Sequence, residues 1–162
     1  MIREQLGGTR IAITGATGFL GTALVERLLR AVPDCELVLI VRPGRRGAQH
    51  RIDRDILRND AFDRLRAEYA GSTDAGAGTD DGTGDDEASA GAEPQESFEK
   101  MCARRVTAVA GDVGTDGLGL DDEGLAILAG CDLAIHSAAT VSFDSALDDA
   151  VEVNLLGPVS YT

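Results

Sequence analysis

The sequence predicts an α/β fold in which a parallel β-sheet carries helices on both of its faces. The first observation is that short apolar segments alternate along the chain with segments of helical periodicity. The second is the run of five apolar residues at 37–41, which is typical of a parallel strand buried on both faces. A length of 162 residues and a hydrophobic share of 43% suit a single globular domain spanning 1–162.

The periodicity places the elements in order. Strands are expected at 10–14, 36–41, 105–110 and 132–136. Helices are expected at 18–31, 51–69, 121–129 and 142–153, with another beginning at 154. About four strands are therefore expected. They predict the N-terminal part of a doubly wound, Rossmann-like sheet whose remaining strands are not in this sequence.

Residues 71–97 differ in kind from the rest of the chain. They are rich in Gly, Asp, Ser, Thr and Ala, contain no Lys or Arg, and have no residue larger than Glu or Gln. Such a composition cannot bury enough apolar surface to offset its ordering entropy. We expect a disordered acidic loop inside the domain, because the strand–helix alternation resumes after it. The loop could shield the mouth of a site or repel anions, or it could be a solvated, tolerated insertion.

Composition excludes several classes of function. A net charge of −13 argues against binding to nucleic acid or to an anionic membrane. No apolar window approaches the ~18 residues of a transmembrane segment, and nothing resembles a signal peptide. Cys35, Cys102 and Cys131 are scattered without metal-ligand spacing, so no metal site is predicted. Reduced, mostly buried thiols in a cytoplasmic protein are expected.

The most informative motif follows the first strand directly. Gly15, Gly18 and Gly21 are spaced three apart and lead into an amphipathic helix. The first glycine permits a tight turn, the second lets a phosphate approach the helix N-terminus, and the third lets helix and strand pack closely. The pattern therefore predicts a dinucleotide site. The alternative is a strand–turn–helix that needs glycine for its geometry alone.

Arg42 indicates which dinucleotide is bound. Folds that bind NAD usually place a carboxylate at the end of the second strand, to hold the ribose 2′-hydroxyl. Here that position is Arg42, and no carboxylate follows before Asp53. A guanidinium attracts a 2′-phosphate, so NADP(H) is favoured over NAD(H). The nearby Arg45 and Arg46 either assist or form a solvated basic turn.

Six segments together resemble a known family, the extended short-chain dehydrogenases/reductases, and within it the fatty acyl-CoA reductases and the thioester reductase domains of carboxylic acid reductases. The segments are Thr-Gly-Ala-Thr-Gly-Phe-Leu-Gly (14–21), Val-Arg-Pro (41–43), Ala-Phe-Asp-Arg-Leu-Arg (61–66), Gly-Asp-Val (111–113), His-Ser-Ala-Ala-Thr-Val-Ser-Phe-Asp (136–144) and Val-Asn-Leu-Leu-Gly (153–157). The likeness spans the chain except for the acidic loop.

The resemblance implies a set of cofactor-binding residues. Those for the pyrophosphate are Gly15, Thr17, Gly18, Phe19, Leu20 and Gly21, and Arg42 takes the 2′-phosphate. Asp112 and Val113 hold the adenine, while Ser137, Ala138 and Ala139 line the ribose and nicotinamide. Asn154 supports the region after the fourth strand. Asp112 could instead be a turn residue, since Gly-Asp after a strand is common turn chemistry.

The resemblance also implies a reaction: NADPH-dependent reduction of an acyl thioester, carried by CoA or a carrier protein, to an aldehyde or alcohol. The family uses a Tyr-x-x-x-Lys pair. The only lysine here is Lys100, and Glu96 precedes it by four residues. Tyr69 is followed by Thr73, and Tyr161 is penultimate. No catalytic residue is therefore predicted, and the chain alone is expected to be inactive.

Other functions stay open at this point. Another extended short-chain enzyme, such as a sugar-nucleotide epimerase or a steroid-type dehydrogenase, shares the glycine loop. A non-catalytic NADP(H)-binding module would explain the missing dyad. A hydrolase using Ser142, Ser145 and His136 is disfavoured, because a catalytic triad needs a geometry that nothing in the sequence implies.

Overall fold

A computed structural model describes residues 2–70, 96–140, 144 and 146–156. Its centre is a parallel sheet of strands β1 (Arg10–Thr14), β2 (Glu36–Val41), β3 (Val106–Ala110) and β4 (Leu133–His136). The strands lie in the order β3-β2-β1-β4. The predicted α/β class with a parallel, doubly wound sheet is confirmed, and the strand bounds agree to within one residue.

Helices cover both faces of the sheet. They are α1 (Ile2–Gln5), α2 (Phe19–Ala31), α3 (Gly47–Ile52), α4 (Asp63–Ala70), α5 (Phe98–Arg105), α6 (Asp122–Ala129) and α7 (Leu147–Val151). Wider π turns extend α3 over Asp53–Leu57 and α7 over Glu152–Leu156. Short 3₁₀ turns occupy Asp60–Phe62 and Asp116–Gly119. Among the described residues, no helix is both long and apolar enough to cross a membrane.

The single helix predicted over 51–69 is wrong. The helical chain begins earlier, at Gly47, and is interrupted at Asn59, whose backbone is extended (φ −67°, ψ 145°). The side chain of Asn59 accepts a hydrogen bond from the backbone N–H of Ala61 at 2.9 Å. This cap starts a new turn, because an Asn side chain competes with the helix for backbone donors.

Helix α5 was not predicted. Ser97 caps it by accepting a hydrogen bond from the backbone N–H of Lys100, and Glu96 pairs with Arg104 at 2.9 Å. Most of the predicted acidic loop, residues 71–95, lies outside the described residues, but Glu96 and Ser97 belong to this helix start. Another helix was predicted to begin at Asn154, but this residue lies inside the π turn that extends α7, and residues 157–162 lie outside the described part of the chain.

The core is divided by the sheet. On one face Ile11, Ile13, Leu37 and Leu39 pack with α2 and with the segment from α3 to α5. On the other face a smaller cluster forms around Val38. The alternation along β1 and β2 sends neighbouring side chains to opposite faces. Both faces are therefore apolar, as expected for a parallel sheet with helices on each side.

One charged side chain is buried at the edge of the larger cluster. Arg105 is only 5% exposed, and its guanidinium donates to the carbonyl oxygens of Leu29, Val32 and Cys35 at 2.8–2.9 Å. It also lies 3.0 Å from the Sγ atom of Cys35. Since α2 ends at these carbonyls, the positive charge faces the negative end of the helix dipole. Arg105 thereby joins the end of α2 to the start of β3.

Candidate cofactor-binding site

A cleft of about 330 Å³ opens at the carboxyl ends of the strands. It lies where the strand order reverses, because β2 and β4 flank β1 on opposite sides. In open parallel sheets ligands bind at this crevice. The cleft is therefore the place in the fold where a cofactor is expected.

Gly15 and Gly21 close the loop between β1 and α2. Gly15 has φ +71°, and a Cβ atom there would lie 2.4 Å from the backbone nitrogen of Ala138. A Cβ atom on Gly21 would lie 2.1 Å from the carbonyl oxygen of Gly15. Both distances are far below van der Waals contact. These two glycines are thus required for the loop to touch the segment after β4 and the first turn of α2.

Gly18 leaves the N-terminal end of α2 open to an anion. It is the N-cap of α2 rather than its first residue, and no side chain caps the helix there. The N–H groups of the first helical turn have no partner within the helix, and the helix dipole makes this end positive. A phosphate fits such an end. Gly18 lines the cleft, so this end of the helix borders the space in which a pyrophosphate is expected.

The segment after β4 forms the opposite wall. The Oγ1 atom of Thr14 lies 2.9 Å from Nδ1 of His136, and the backbone N–H of Ser137 donates to the same hydroxyl at 3.3 Å. The Oγ atom of Ser137 is buried and has no hydrogen-bond partner among the described residues. A buried hydroxyl without a partner is costly. A polar group of a bound ligand would satisfy it, so this wall fits a cofactor rich in hydroxyl groups.

Asn154 supports that wall through hydrogen bonds to its backbone. Its Oδ1 atom accepts from the backbone N–H of Thr140 at 2.8 Å, and its Nδ2 atom donates to the carbonyl of Thr140 at 3.0 Å. Thr140 lines the cleft, whereas Asn154 does not. The structure therefore places Asn154 behind the wall, where it holds the backbone after β4.

Two arginines line the cleft near the end of β2: Arg42, which directly follows the strand, and Arg51, which lies in α3. The Nη1 atom of Arg51 donates a hydrogen bond to the carbonyl of Arg42 at 2.7 Å. Arg51 was not among the predicted site residues, because it lies nine residues after Arg42. The helix that carries it was also predicted to begin at residue 51, whereas it begins at Gly47. The turn at 42–47 brings the helix back over the strand end. The signal in the sequence was the excess of arginines after Pro43.

Asp112 combines the two roles considered for it. Its Oδ1 atom accepts from the backbone N–H of Gly114 at 3.0 Å, which is a turn contact. The same residue lines the cleft at the end of β3. A turn that fixes the carboxylate also presents it to the cleft.

The structure brings most of the predicted cofactor residues together. Those that line the cleft are Gly15, Thr17, Gly18, Arg42, Asp112, Val113, Ser137, Ala138 and Ala139. Phe19, Leu20, Gly21 and Asn154 do not line it. Phe19 and Leu20 lie in the first turn of α2 with 96% and 69% exposure. Their place beside the pyrophosphate remains a prediction.

Lys100 and Tyr69, two of the residues considered for catalysis, do not line the cleft. Lys100 is in α5, and the ring of Tyr69 packs edge-on against Phe98 with centroids 6.4 Å apart. Tyr161, Ser142 and Ser145 lie outside the described residues. In the described ranges no group of three or more His, Cys, Asp or Glu side chains is placed to hold a metal ion.

The parallel sheet, the glycine loop at its switch point and the anion-binding helix end define a dinucleotide-binding α/β domain. The profile of an NAD-binding family, described as male sterility protein, matches residues 13–161. The chain belongs to this family. The nicotinamide cofactor expected from the sequence is thereby confirmed.

Relatives of known name support this membership. Fatty acyl-CoA reductase 1 of Arabidopsis thaliana is 29% identical over 161 residues, which is 97% of this chain and 28% of that protein. Fatty acyl-CoA reductase 1 of Rattus norvegicus is 30% identical over 158 residues, 96% of this chain and 25% of that protein. The chain therefore spans about a quarter of the length of the relatives it matches.

Solved structures show the same fold. The reductase domain of a non-ribosomal peptide synthetase from Mycobacterium tuberculosis is 27% identical, with a TM-score of 0.51, over 88% of this chain and 28% of that one. The terminal R domain from the myxalamid PKS-NRPS pathway is 24% identical, with a TM-score of 0.60, over 93% of this chain and 30% of that one. The second likeness concerns the fold alone.

Proposed function

We propose that this chain is the NADP(H)-binding part of a reductase that acts on acyl thioesters. The cofactor preference rests on one observation: Arg42 and Arg51 line the end of the cleft where NAD-selective folds carry a carboxylate. The substrate class rests on the names of the relatives, which are fatty acyl-CoA reductases, and on the reductase domains among the solved structures.

The residues of the cleft suit the parts of the cofactor in order. The amide groups at the start of α2, with Gly18, would receive the pyrophosphate, and the guanidinium groups would pair with the 2′-phosphate. Asp112 and Val113 would lie beside the adenosine. Ser137, whose buried hydroxyl has no protein partner in the described part of the chain, would bond to a ribose hydroxyl.

NADPH held in this cleft would supply a hydride. Its transfer to the thioester carbonyl carbon, with cleavage of the carbon–sulfur bond and protonation of the departing thiolate, would give an aldehyde. A second reduction would give an alcohol. In this proposal the chain holds and orients the dinucleotide. Its sequence does not contain the Tyr-x-x-x-Lys pair that would polarise the carbonyl.

Two measurements test this function separately. Binding of NADPH and NADH to the chain tests the cofactor, and a tighter complex with NADPH is expected. The complete gene product, given NADPH and either acyl-CoA or acyl-carrier-protein thioesters, tests the reaction by release of aldehyde and thiol. Turnover of UDP-sugars without turnover of thioesters would instead favour the epimerase alternative.

We also infer the setting and the domain organisation. Three free cysteines, two of them buried, suit a reducing cytoplasmic location. The fatty acyl-CoA reductases among the relatives suit a role in lipid metabolism. Residues 1–162 belong to one NAD(P)-binding domain, and the acidic segment 71–97 is an insertion within it. Deleting residues 72–95, which spares the helix cap at Ser97, should leave the affinity for NADPH unchanged. A large loss of affinity would show that the acidic segment contributes to the site.

A further inference from the structure

A second concave surface lies beside the cleft and has no place in the function described so far. The turn after β2 and the outer side of α3 with its π turn enclose a groove of about 770 Å³. Five of the residues that line it are arginines: Arg45, Arg46, Arg51, Arg54 and Arg58. We call this surface the arginine groove.

The charge of the groove opposes that of the chain. Five arginines and two aspartates, Asp53 and Asp55, line it, which leaves an excess of three positive charges, whereas the whole chain carries −13. Asp55 is already paired with Arg54 at 2.5 Å and with Arg51 at 3.5 Å. In the described ranges, no carboxylate lies within salt-bridge distance of Arg45 or Arg58. Both guanidinium groups are exposed, and neither has a counterion among the described residues.

The groove adjoins the cofactor cleft. Arg51 lines both, and it donates a hydrogen bond to the carbonyl of Arg42, which lines the cleft. The groove therefore lies beside the end of the cleft proposed for the 2′-phosphate. Arg45 and Arg58 line the groove but not the cleft, so they lie near the path of the phosphate rather than at its final position.

We propose that the arginine groove is an electrostatic capture site for the phosphate-rich end of NADP(H); this inference rests on the proposed function. A protein of charge −13 repels a dinucleotide that carries a pyrophosphate and a phosphomonoester. A cluster of one sign in a groove focuses the local field and raises association rates by about 10- to 1,000-fold. The groove thus reverses the sign of the field where the cofactor arrives.

The arginine groove should affect the rate at which NADP(H) associates with the protein and not the rate at which it dissociates. Charges that steer a ligand without touching it in the complex change the association rate constant, and salt weakens their effect because the Debye length is about 10 Å at 0.1 M. Charges that contact the bound ligand change the dissociation rate constant instead. Arg45 and Arg58 are expected to act in the first way.

The test is stopped-flow binding of NADPH, and of NADH as the probe without a 2′-phosphate, over a range of salt concentrations. The variant Arg45→Glu/Arg58→Glu is compared with Arg3→Glu/Arg27→Glu, which makes the same change of net charge at exposed arginines outside the groove. A milder pair, Arg45→Gln/Arg58→Gln, removes the charges without reversing them. Circular dichroism checks that every variant is folded.

We expect the groove variant to associate with NADPH about tenfold more slowly at low salt. The dissociation rate should be unchanged, the difference should fade at high salt, the Gln pair should be intermediate, and the control pair should change little. Equal effects of the two Glu pairs would overturn the proposal, since net charge alone would then act. A change confined to dissociation would also overturn it. NADPH binding no tighter than NADH binding would instead count against the proposed function.

Discussion

The side-chain amide of Asn154 makes both of its hydrogen bonds to the backbone of one residue, Thr140. The amide therefore mimics a strand partner for the segment that leaves β4. That segment carries Ser137, Ala138 and Ala139, which line the cleft. An exposed residue at the end of the described chain thus fixes one wall of the cofactor site.

Replacing this amide should weaken cofactor binding. In Asn154→Ala the two hydrogen bonds to Thr140 are lost, and each is worth about 1 kcal/mol. The wall after β4 then samples other positions, so the Kd for NADPH measured by fluorescence titration should rise about fivefold to tenfold. Asn154→Asp keeps the acceptor but loses the donor. Its Kd for NADPH should therefore lie between those of the wild type and of Asn154→Ala. An unchanged Kd in both variants would mean that the wall holds its position without Asn154.

Removing Arg42 should change which dinucleotide is preferred. A charge-assisted hydrogen bond contributes about 1.5–3 kcal/mol, so Arg42→Ala should weaken NADPH binding about tenfold to 100-fold. NADH lacks the phosphate, and its Kd should stay within about twofold. Arg51→Ala should act in the same direction. If both dinucleotides weakened equally, Arg42 would support the fold rather than bind the phosphate.

Glycine 15 should tolerate no side chain, and Gly8 provides a matched control. The two have nearly the same backbone angle, φ +71° and φ +70°, but no atom of the described residues lies within 4 Å of a Cβ atom on Gly8. Gly8→Ala pays only the left-handed backbone cost of about 1–2 kcal/mol. Gly15→Ala adds the clash with Ala138. Urea unfolding should show a clearly larger loss of unfolding free energy for Gly15→Ala than for Gly8→Ala. Only Gly15→Ala should lose NADPH binding.

The buried guanidinium of Arg105 should matter more to stability than its exposed neighbour. Arg105→Met leaves the carbonyls of Leu29, Val32 and Cys35 without their donor, at about 1–3 kcal/mol for each buried acceptor that stays unsatisfied. Arg104→Met removes only exposed ion pairs with Asp34 and Glu96, which are worth less than about 1 kcal/mol. The free energies of unfolding in urea should separate the two variants. Equal losses would show that water replaces the missing donor of Arg105.

Alkaline pH should destabilise the fold through Cys102. Burial raises the pKa of this thiol to about 12. The unfolded thiol ionises near its ordinary pKa of about 8.5, so the folded state holds the extra proton between these values. The contribution is complete below about pH 8.5 and is lost as the pH rises towards 12. Cys102→Ala should flatten the unfolding free energy over pH 9–11, and an unaltered pH profile would refute this origin.

The sequence carried enough information for the sheet and for the glycine loop. Long apolar runs fix strands such as β2, because few other structures bury residues on both faces. The helices between β2 and β3 were harder to predict, since Asn59 interrupts the helix while the apolar pattern continues across it in the sequence. Helix α5 is short and depends on the cap at Ser97 and on tertiary contacts. Propensity alone therefore gave no sign of it.

The site was predictable where it rests on backbone geometry and less so where it rests on distant side chains. Gly15, Gly18 and Arg42 follow directly from their strands. Arg51 reaches the cleft only because the chain turns back after Pro43, and no spacing rule describes that turn. The support from Asn154 depends on a contact across 14 residues, which only coordinates reveal.

The bonds of Arg105 join positions 70 to 76 residues apart in sequence, and Arg104 adds an ion pair to Asp34. Helix α5 is thus fastened directly to the corner between α2 and β2. The start of β3 is held by these bonds, whatever the length of the chain that precedes α5. Evolution can therefore lengthen or shorten that stretch freely, and a protein engineer could place a reporter domain there while the cofactor cleft keeps its shape.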